Sequence, residues 1–524
     1  MNTVSYLRIG LLVVSLVLGI KSASWGDLPE LPSGQDTSVS DAVVPPQRNV
    51  KRVHAATLFS EEPARPAPFG RYHRPTPDVF DRLRHQQEVE LQQLALDDDL
   101  YVDLELEAYY AHAVNAQFVI TTDDGDQLTE PPQIALFQGR VADVPDSWVV
   151  LGVTEERVYG IVQVSAREEY WIVPPPSRRA GMPHAVYERF RDAHHFPPPD
   201  MFCDTETPDD WSEPSPREAT VGVLQDDFPW RVAELALDGD WGYRQLFDTP
   251  EDALDYMALL TAVVSSIYER DMQLKVSLTF ARVWDTANDP YSATNRLSAI
   301  EEFSDYWDTH MTHVPRHLAH LLSNGRFTGG RAGGIGAICD ADAYGINAVN
   351  GTFPFPVVEQ HGGNWDIFVF AHELGHNFGS AHTHCYNPPI DACAGEDFDC
   401  PLPEECQVGT IMSYCHTCPG GVGNVEMRFH ERVVDVMRDF IENECPGVGR
   451  DPVYVSASAS GPLQDGTVSH PFQTVSQGVN HVIPGGRVLI APGVYNETFE
   501  DWSILNRPME LERWGTTGEV IIGD

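Results

Sequence analysis

The stretch His372-Glu373-Leu374-Gly375-His376-Asn377-Phe378-Gly379-Ser380-Ala381-His382 decides how this chain is read. An apolar run from Trp365 leads into it, and its spacing is helical. Positions four apart share one helix face, so His372 and His376 present two imidazoles to a single point. Glu373 lies beside them, placed to hold a water and not a metal ion. Gly379 lets the chain leave the helix in a left-handed turn, and that turn returns His382 to the same point. Three neutral imidazoles with a fourth position open are the donor set of a catalytic zinc ion, whereas four closed ligands mark a structural one. His384 is the alternative third ligand, at a spacing that breaks the pattern. The bland reading, a helix with solvent-facing histidines, accounts poorly for all eleven residues together.

The rest of the composition narrows the setting. Across 524 residues, 34 basic side chains face 78 acidic ones, a net charge of −44. Such a surface repels nucleic acid and anionic lipid, so neither is expected as a partner. Arg8, the apolar run 9–20 and the small residues Ser22-Ala23-Ser24 form a signal peptide over 1–24. The run is too short for a good membrane span, and the expected location is extracellular. Of nine cysteines, eight (Cys339, Cys385, Cys393, Cys400, Cys406, Cys415, Cys418, Cys445) fall in one region, as disulfides in an oxidising compartment do. Cys203 stands alone upstream.

Along the chain, 25–94 reads as a flexible leader with a short helix over 79–96, and 101–173 alternates like strands. A Pro- and acid-rich linker covers 174–226. From 227 to 446 strands and helices interleave: a strand at 234–237, a helix at 251–270, a strand at 274–284, helices at 296–307 and 315–322, a glycine-rich strand or loop at 329–339, the metal-bearing helix at 365–379 and a closing helix at 427–444. This is an α/β or α+β domain with a mixed sheet. Short strands at 454–455, 472–475, 487–490 and 520–522 follow in a segment, 447–524, that resembles the opening coil of right-handed parallel β-helix proteins. One coil alone is not expected to bury a core.

Past the helix, Gly409-Thr410-Ile411-Met412-Ser413-Tyr414-Cys415 resembles the Met-turn that follows the extended zinc motif in metzincins. Met412 would then floor the histidines without ligating. Together with "RVAELALDGD", "DYMALLTAVVSSIYERD" and "GGIGAICDADAYGI", these motifs make residues 231–445 similar to the reprolysin (adamalysin) branch of the metzincins. The resemblance implies a zinc-dependent endopeptidase acting on proteins or peptides, with Glu373 as general base and 333–338 as an edge strand for extended substrate. Tyr414 matches a tyrosine that astacins and serralysins keep near the metal, and a catalytic or a packing role both stay open. Thr383 stands where the family usually has Asp. Glu234 matches a family calcium ligand, but Val448 replaces the expected Asn, so the resemblance leaves Ca2+ undecided. It also implies a Cys339–Cys445 disulfide.

Upstream, Phe137-Gln138-Gly139-Arg140-Val141, Pro145-Asp146-Ser147, Gly160 and Tyr170 resemble reprolysin propeptides, which makes 95–200 an expected β-rich inhibitory prodomain. Cys203, in the linker 201–226, falls where metzincin zymogens place a thiol that caps zinc; a disulfide is the alternative. Arg178-Arg179 and Arg217 are candidate maturation sites. Two other classes compete: a catalytically silent binding or adhesion protein on the same fold, and a carbohydrate-interacting β-helix. The intact His372, Glu373, His376 and His382 weigh against the first.

Overall fold

Along Tyr101–Tyr109 the side chains of Val102, Leu104, Leu106 and Tyr109 are buried while Tyr101, Glu105 and Glu107 face out, as a strand covered on one face requires. The computed structural model describes residues 50–61, 71–175, 183–192, 203–213, 230–340, 342–351, 365–395, 399–401, 403 and 405–445. Beyond these it describes 448–460, 464, 466, 468, 471–482, 486–497, 509–515 and 518–523. The expected signal peptide and both candidate maturation sites lie outside the described residues.

Ten strands build an N-terminal sheet in the order Lys51–His54, Glu88–Ala95, Tyr101–Tyr109, Ala135–Val141, Trp148–Val153, Val158–Ser165, Glu168–Val173, His184–Glu188, Arg71–Pro75 and Phe59–Glu61. One face closes over its own apolar cluster, with Leu58, Phe80, Leu104, Phe137 and Ile172 inside. The other face sends Trp148, Ile161 and Trp171 into a cluster shared with helix Pro250–Met272.

This corrects the flexible leader at 25–94 for its described residues. Val53, Leu58, Phe59, Val79, Phe80 and Leu83 are buried there, although they come singly or in pairs among polar residues and show no period. Their partners lie far along the chain. The helix expected at 79–96 is one short helix, Val79–Leu83, followed by strand Glu88–Ala95. The linker, too, contributes a sheet strand, His184–Glu188.

Strand His112–Thr122 leaves this sheet. It pairs in parallel with Leu274–Trp284 and forms a hairpin with Gly125–Thr129. The second sheet therefore runs Gly330–Ala332, Tyr344–Ala348, Leu318–Ser323, Trp230–Gly239, Leu274–Trp284, His112–Thr122, Gly125–Thr129, with Gly449–Asp451 also pairing antiparallel to Trp230–Gly239. The helix expected over 315–322 is the strand Leu318–Ser323, buried at all six positions. A short apolar run suits a buried helix or a doubly covered parallel strand equally; parallel neighbours on both sides decide it. The edge strand is Gly330–Ala332, not 333–338, and Ala337–Cys339 turns as a 3-10 helix.

Helix Pro250–Met272 starts at a capping box, Thr249 with Asp252, and has Pro at its first turn. It is buried nearly all round because it lies between the two sheets, so it carries almost no polar face. Beneath it, helix Trp365–Asn377 is buried at all 13 positions. Tyr268 anchors it by donating from its hydroxyl to the Ala371 carbonyl at 2.8 Å.

In the C-terminal segment, strands Val453–Val455, Arg487–Ile490 and Glu510–Arg513 are parallel, as are Gly493–Tyr495 and Val520–Ile522. They enclose a cluster of their own, including Val453, Phe472, Val479, Val488 and Val520, so the expectation that this segment buries no core is corrected. Val475–His481 is a helix where a strand end was expected. Among the described residues no helix is long and apolar enough to cross a membrane.

Candidate active site

His372 and His376 point from one face of helix Trp365–Asn377. Gly379, at φ 103°, ends it; a side chain there would be strained and would meet Phe440. The turn delivers His382, not His384, to the same point. His376 Nε2 lies 3.1 Å from His372 Nε2 and 3.1 Å from His382 Nε2. His372 Nδ1 faces the Ile411 carbonyl at 2.7 Å and His376 Nδ1 the Ser380 carbonyl at 2.8 Å. Each Nδ1 is thus the protonated nitrogen, which leaves bare Nε2 lone pairs converging. Burial lowers the pKa of all three rings, His382 to about 4, so they stay neutral. Uncharged lone pairs at this separation repel unless a cation lies between them, and the set fits zinc.

Glu373 is fully buried. Its Oε2 accepts from the Cys203 thiol at 3.4 Å and the Thr205 hydroxyl at 3.3 Å, while Oε1 is buried without a partner. Burial pushes its carboxyl up to about 8, against those two hydrogen bonds.

Met412 is wholly buried beneath the helix. A Cβ on Gly375 would fall 2.4 Å from its sulfur, so only glycine lets the floor rise this close. Thr383, at the position where Asp was expected, donates from its hydroxyl to the Met412 carbonyl at 3.1 Å and so ties the histidine turn to the Met-turn. Tyr414 packs on His382, ring centroids 4.6 Å apart, and its hydroxyl donates to the Cys203 carbonyl at 2.6 Å.

Cys203 is the free cysteine among the described residues, and it is buried. Its sulfur lies 3.4 Å from His376 Nε2, so one donor atom each from Cys203, His372, His376 and His382 lies within 4.8 Å of the others. The chain after it continues through the cleft. Cys203 bridges Gly330 of the edge strand in parallel, Thr205 accepts from the Ala332 amide at 2.9 Å, and Trp211 stacks edge-on against Tyr386. Glu213 pairs with Arg432.

Three disulfides, Cys385–Cys400, Cys393–Cys415 and Cys406–Cys418, lace the region below. Cys445 is disulfide-bonded as well, while the side chain of Cys339, its expected partner, lies outside the described residues. Glu234 joins none of the His, Cys, Asp and Glu groups able to share an ion among the described residues.

Sequence reasoning missed Asp399. The Cys385–Cys400 bridge folds it back so that Oδ2 lies 3.5 Å from His382 Nδ1 and Oδ1 lies 3.2 Å from His384 Nε2. Burial opposes its ionisation, yet the His382 ring beside it and the hydrogen bonds from His384 and Thr207 hold its carboxyl well below the usual range. A carboxylate behind a ligating imidazole orients the ring and raises its basicity. Asp399→Asn is expected to weaken zinc binding about 10- to 100-fold, measured by competition with a chromophoric chelator. Unchanged affinity would assign Asp399 to the loop alone.

A mixed sheet above a helix with three converging imidazoles, floored by a methionine turn, is the fold and donor arrangement of a metzincin-type domain. Residues 254–383 match the model of "Metallo-peptidase family M12B Reprolysin-like". The chain carries a reprolysin-like metzincin domain. It is 27% identical over 177 residues to disintegrin and metalloproteinase domain-containing protein B of Aspergillus fumigatus, covering 29% of this chain and 20% of that protein. It is 23% identical over 332 residues to human disintegrin and metalloproteinase domain-containing protein 19, covering 61% and 32%. The chain thus spans a third or less of these relatives. Among solved structures, metalloproteinase-II from Bacteroides fragilis overlaps at a TM-score of 0.38 and 13% identity, over 70% of this chain and 94% of that one.

Proposed function

We propose that the protein is an exported zinc endopeptidase, made with residues 203–213 closing its own cleft. The carrying observation is the convergence of three Nε2 atoms, that of His376 lying 3.1 Å from those of His372 and His382, beside the buried Glu373 carboxyl and with a thiol at the fourth corner. His372, His376 and His382 would hold zinc, which supplies Lewis acidity for a peptide carbonyl and acidifies water. Glu373 takes the proton as water adds to the scissile carbonyl, and gives it to the leaving amine as the C–N bond breaks. Its unpartnered Oε1 is the atom free to do so. Tyr414, whose hydroxyl already grips a backbone carbonyl, would donate to the carbonyl oxygen as negative charge grows there.

Latency is supported by Cys203. A thiolate is a strong zinc ligand, and with it the donor set is closed. The N-terminal sheet then acts as prodomain, delivering the segment. Export is supported by the disulfides, which persist in oxidising compartments, and by the leader-like sequence at 1–24. The test is metal removal from the cleaved chain once its N-terminal part and residues 203–213 have dissociated. A zinc chelator should abolish hydrolysis of a denatured protein substrate, and one equivalent of zinc should restore it. Hydrolysis that persists with metal content reduced to trace would overturn the proposal.

A further inference from the structure

The segment that fills the cleft carries a carboxylate, and the cleft answers it with two guanidinium groups. Asp204 follows Cys203 directly. Its Oδ2 lies 2.9 Å from Arg296 Nε and its Oδ1 3.2 Å from Arg331 Nη1; Arg331 also donates to the Asp204 carbonyl. With the segment in place the two arginine side chains are only 18% and 19% exposed.

Both arginines sit where local rules argue against them. Arg296 is the first residue of helix Arg296–His310, where the helix dipole disfavours a cation. Arg331 is the middle residue of the three-residue edge strand Gly330–Ala332, the backbone on which the segment lies. Arg296 is held in place by donating to the Thr328 carbonyl at 2.7 Å. In a chain with a net charge of −44, this convergence of cations beside Glu373 is a local reversal of sign.

When residues 203–213 leave, both guanidiniums lose the carboxylate that they hold between them, and that slot opens to another chain lying on the same edge strand. We infer that Arg296 and Arg331 form a subsite for an acidic side chain, so that the enzyme prefers substrates with Asp or Glu within two residues of the cleaved bond. The slot is one residue from the one whose side chain reaches the metal corner, and an extended strand advances about 3.3 Å per residue. This inference rests on the peptidase reading above.

The test uses the full chain carrying Cys203→Ala and Asp204→Ala, which vacates the metal corner and the carboxylate slot together. It is assayed with zinc bound, both intact and after cleavage of the linker. Peptides sharing one scissile bond carry Glu or Gln at each of the two positions on either side. At one position the Glu peptide is expected to exceed its Gln twin in kcat/KM by about 10- to 100-fold, the range of a charge-assisted pair. Adding Arg331→Gln or Arg296→Gln should bring that ratio toward one, and Arg331→Lys should restore part of it, since lysine keeps the charge and loses the fork. Cleavage of all peptides at similar rates would overturn the inference and leave the peptidase reading standing. Cleavage of none would overturn both.

Discussion

Replacing Glu373 by alanine is expected to lower kcat/KM on an unfolded protein substrate by about 10²- to 10⁴-fold, the usual contribution of a positioned general base. Zinc should stay bound, because the three imidazoles and their Nδ1 partners are untouched. The fold should also persist. Glu373 is a buried carboxyl with one orphaned oxygen, so its removal relieves a desolvation cost and leaves only the Cys203 and Thr205 donors to reorganise. Metal content and thermal melting therefore serve as internal controls. Glu373→Gln keeps the volume and should be equally slow, since an amide cannot accept the proton from water. A variant that retained zinc and full activity would remove Glu373 from the mechanism.

The second large effect concerns Cys203. Cys203→Ala in the uncleaved chain is expected to raise peptidase activity at least about tenfold, because a ligand contribution as small as 1.4 kcal/mol already shifts the closed–open balance tenfold. Opening will be incomplete. Asp204 remains paired with Arg296 and Arg331, Thr205 with the edge strand and Glu213 with Arg432. Adding Asp204→Ala should therefore raise activity further. A spectroscopic readout separates ligation from mere plugging: the cobalt-substituted precursor should show a sulfur-to-metal charge-transfer band that Cys203→Ala lacks. A precursor that stays silent after Cys203→Ala and never shows the band would exclude the thiol as the closing ligand.

The site was legible because its parts lie close together in sequence. The spacing His372, His376 and His382 follows helix geometry plus one glycine turn, and the Met-turn motif is contiguous. Asp399 was not legible, since it reaches His382 only through the fold-back imposed by the Cys385–Cys400 bridge. Arg296 and Arg331 were hidden for a similar reason: they meet at a residue 92 and 127 positions upstream of them, Asp204. In the fold, the long helix Pro250–Met272 and the strand Leu274–Trp284 followed from the periodicity of their apolar residues. Leu318–Ser323 did not, because burial on both faces erases the alternation that marks a strand. The N-terminal strands from Lys51 to Ala95 were missed because their apolar residues gain meaning only from non-local pairing.

Strand His112–Thr122 gives this molecule an asymmetry between cutting and parting. It belongs by sequence to the N-terminal sheet, yet it is hydrogen-bonded between Leu274–Trp284 and its own hairpin mate. A cut anywhere between Asp192 and Trp230 severs one covalent bond and leaves that ladder whole. Departure of the N-terminal part then means peeling a strand from a sheet and wetting Trp148, Ile161 and Trp171 along with it. The nicked molecule should accordingly persist as two chains that co-migrate under native conditions. The clock for their separation is set by the unpairing of a sheet, not by the rate of hydrolysis.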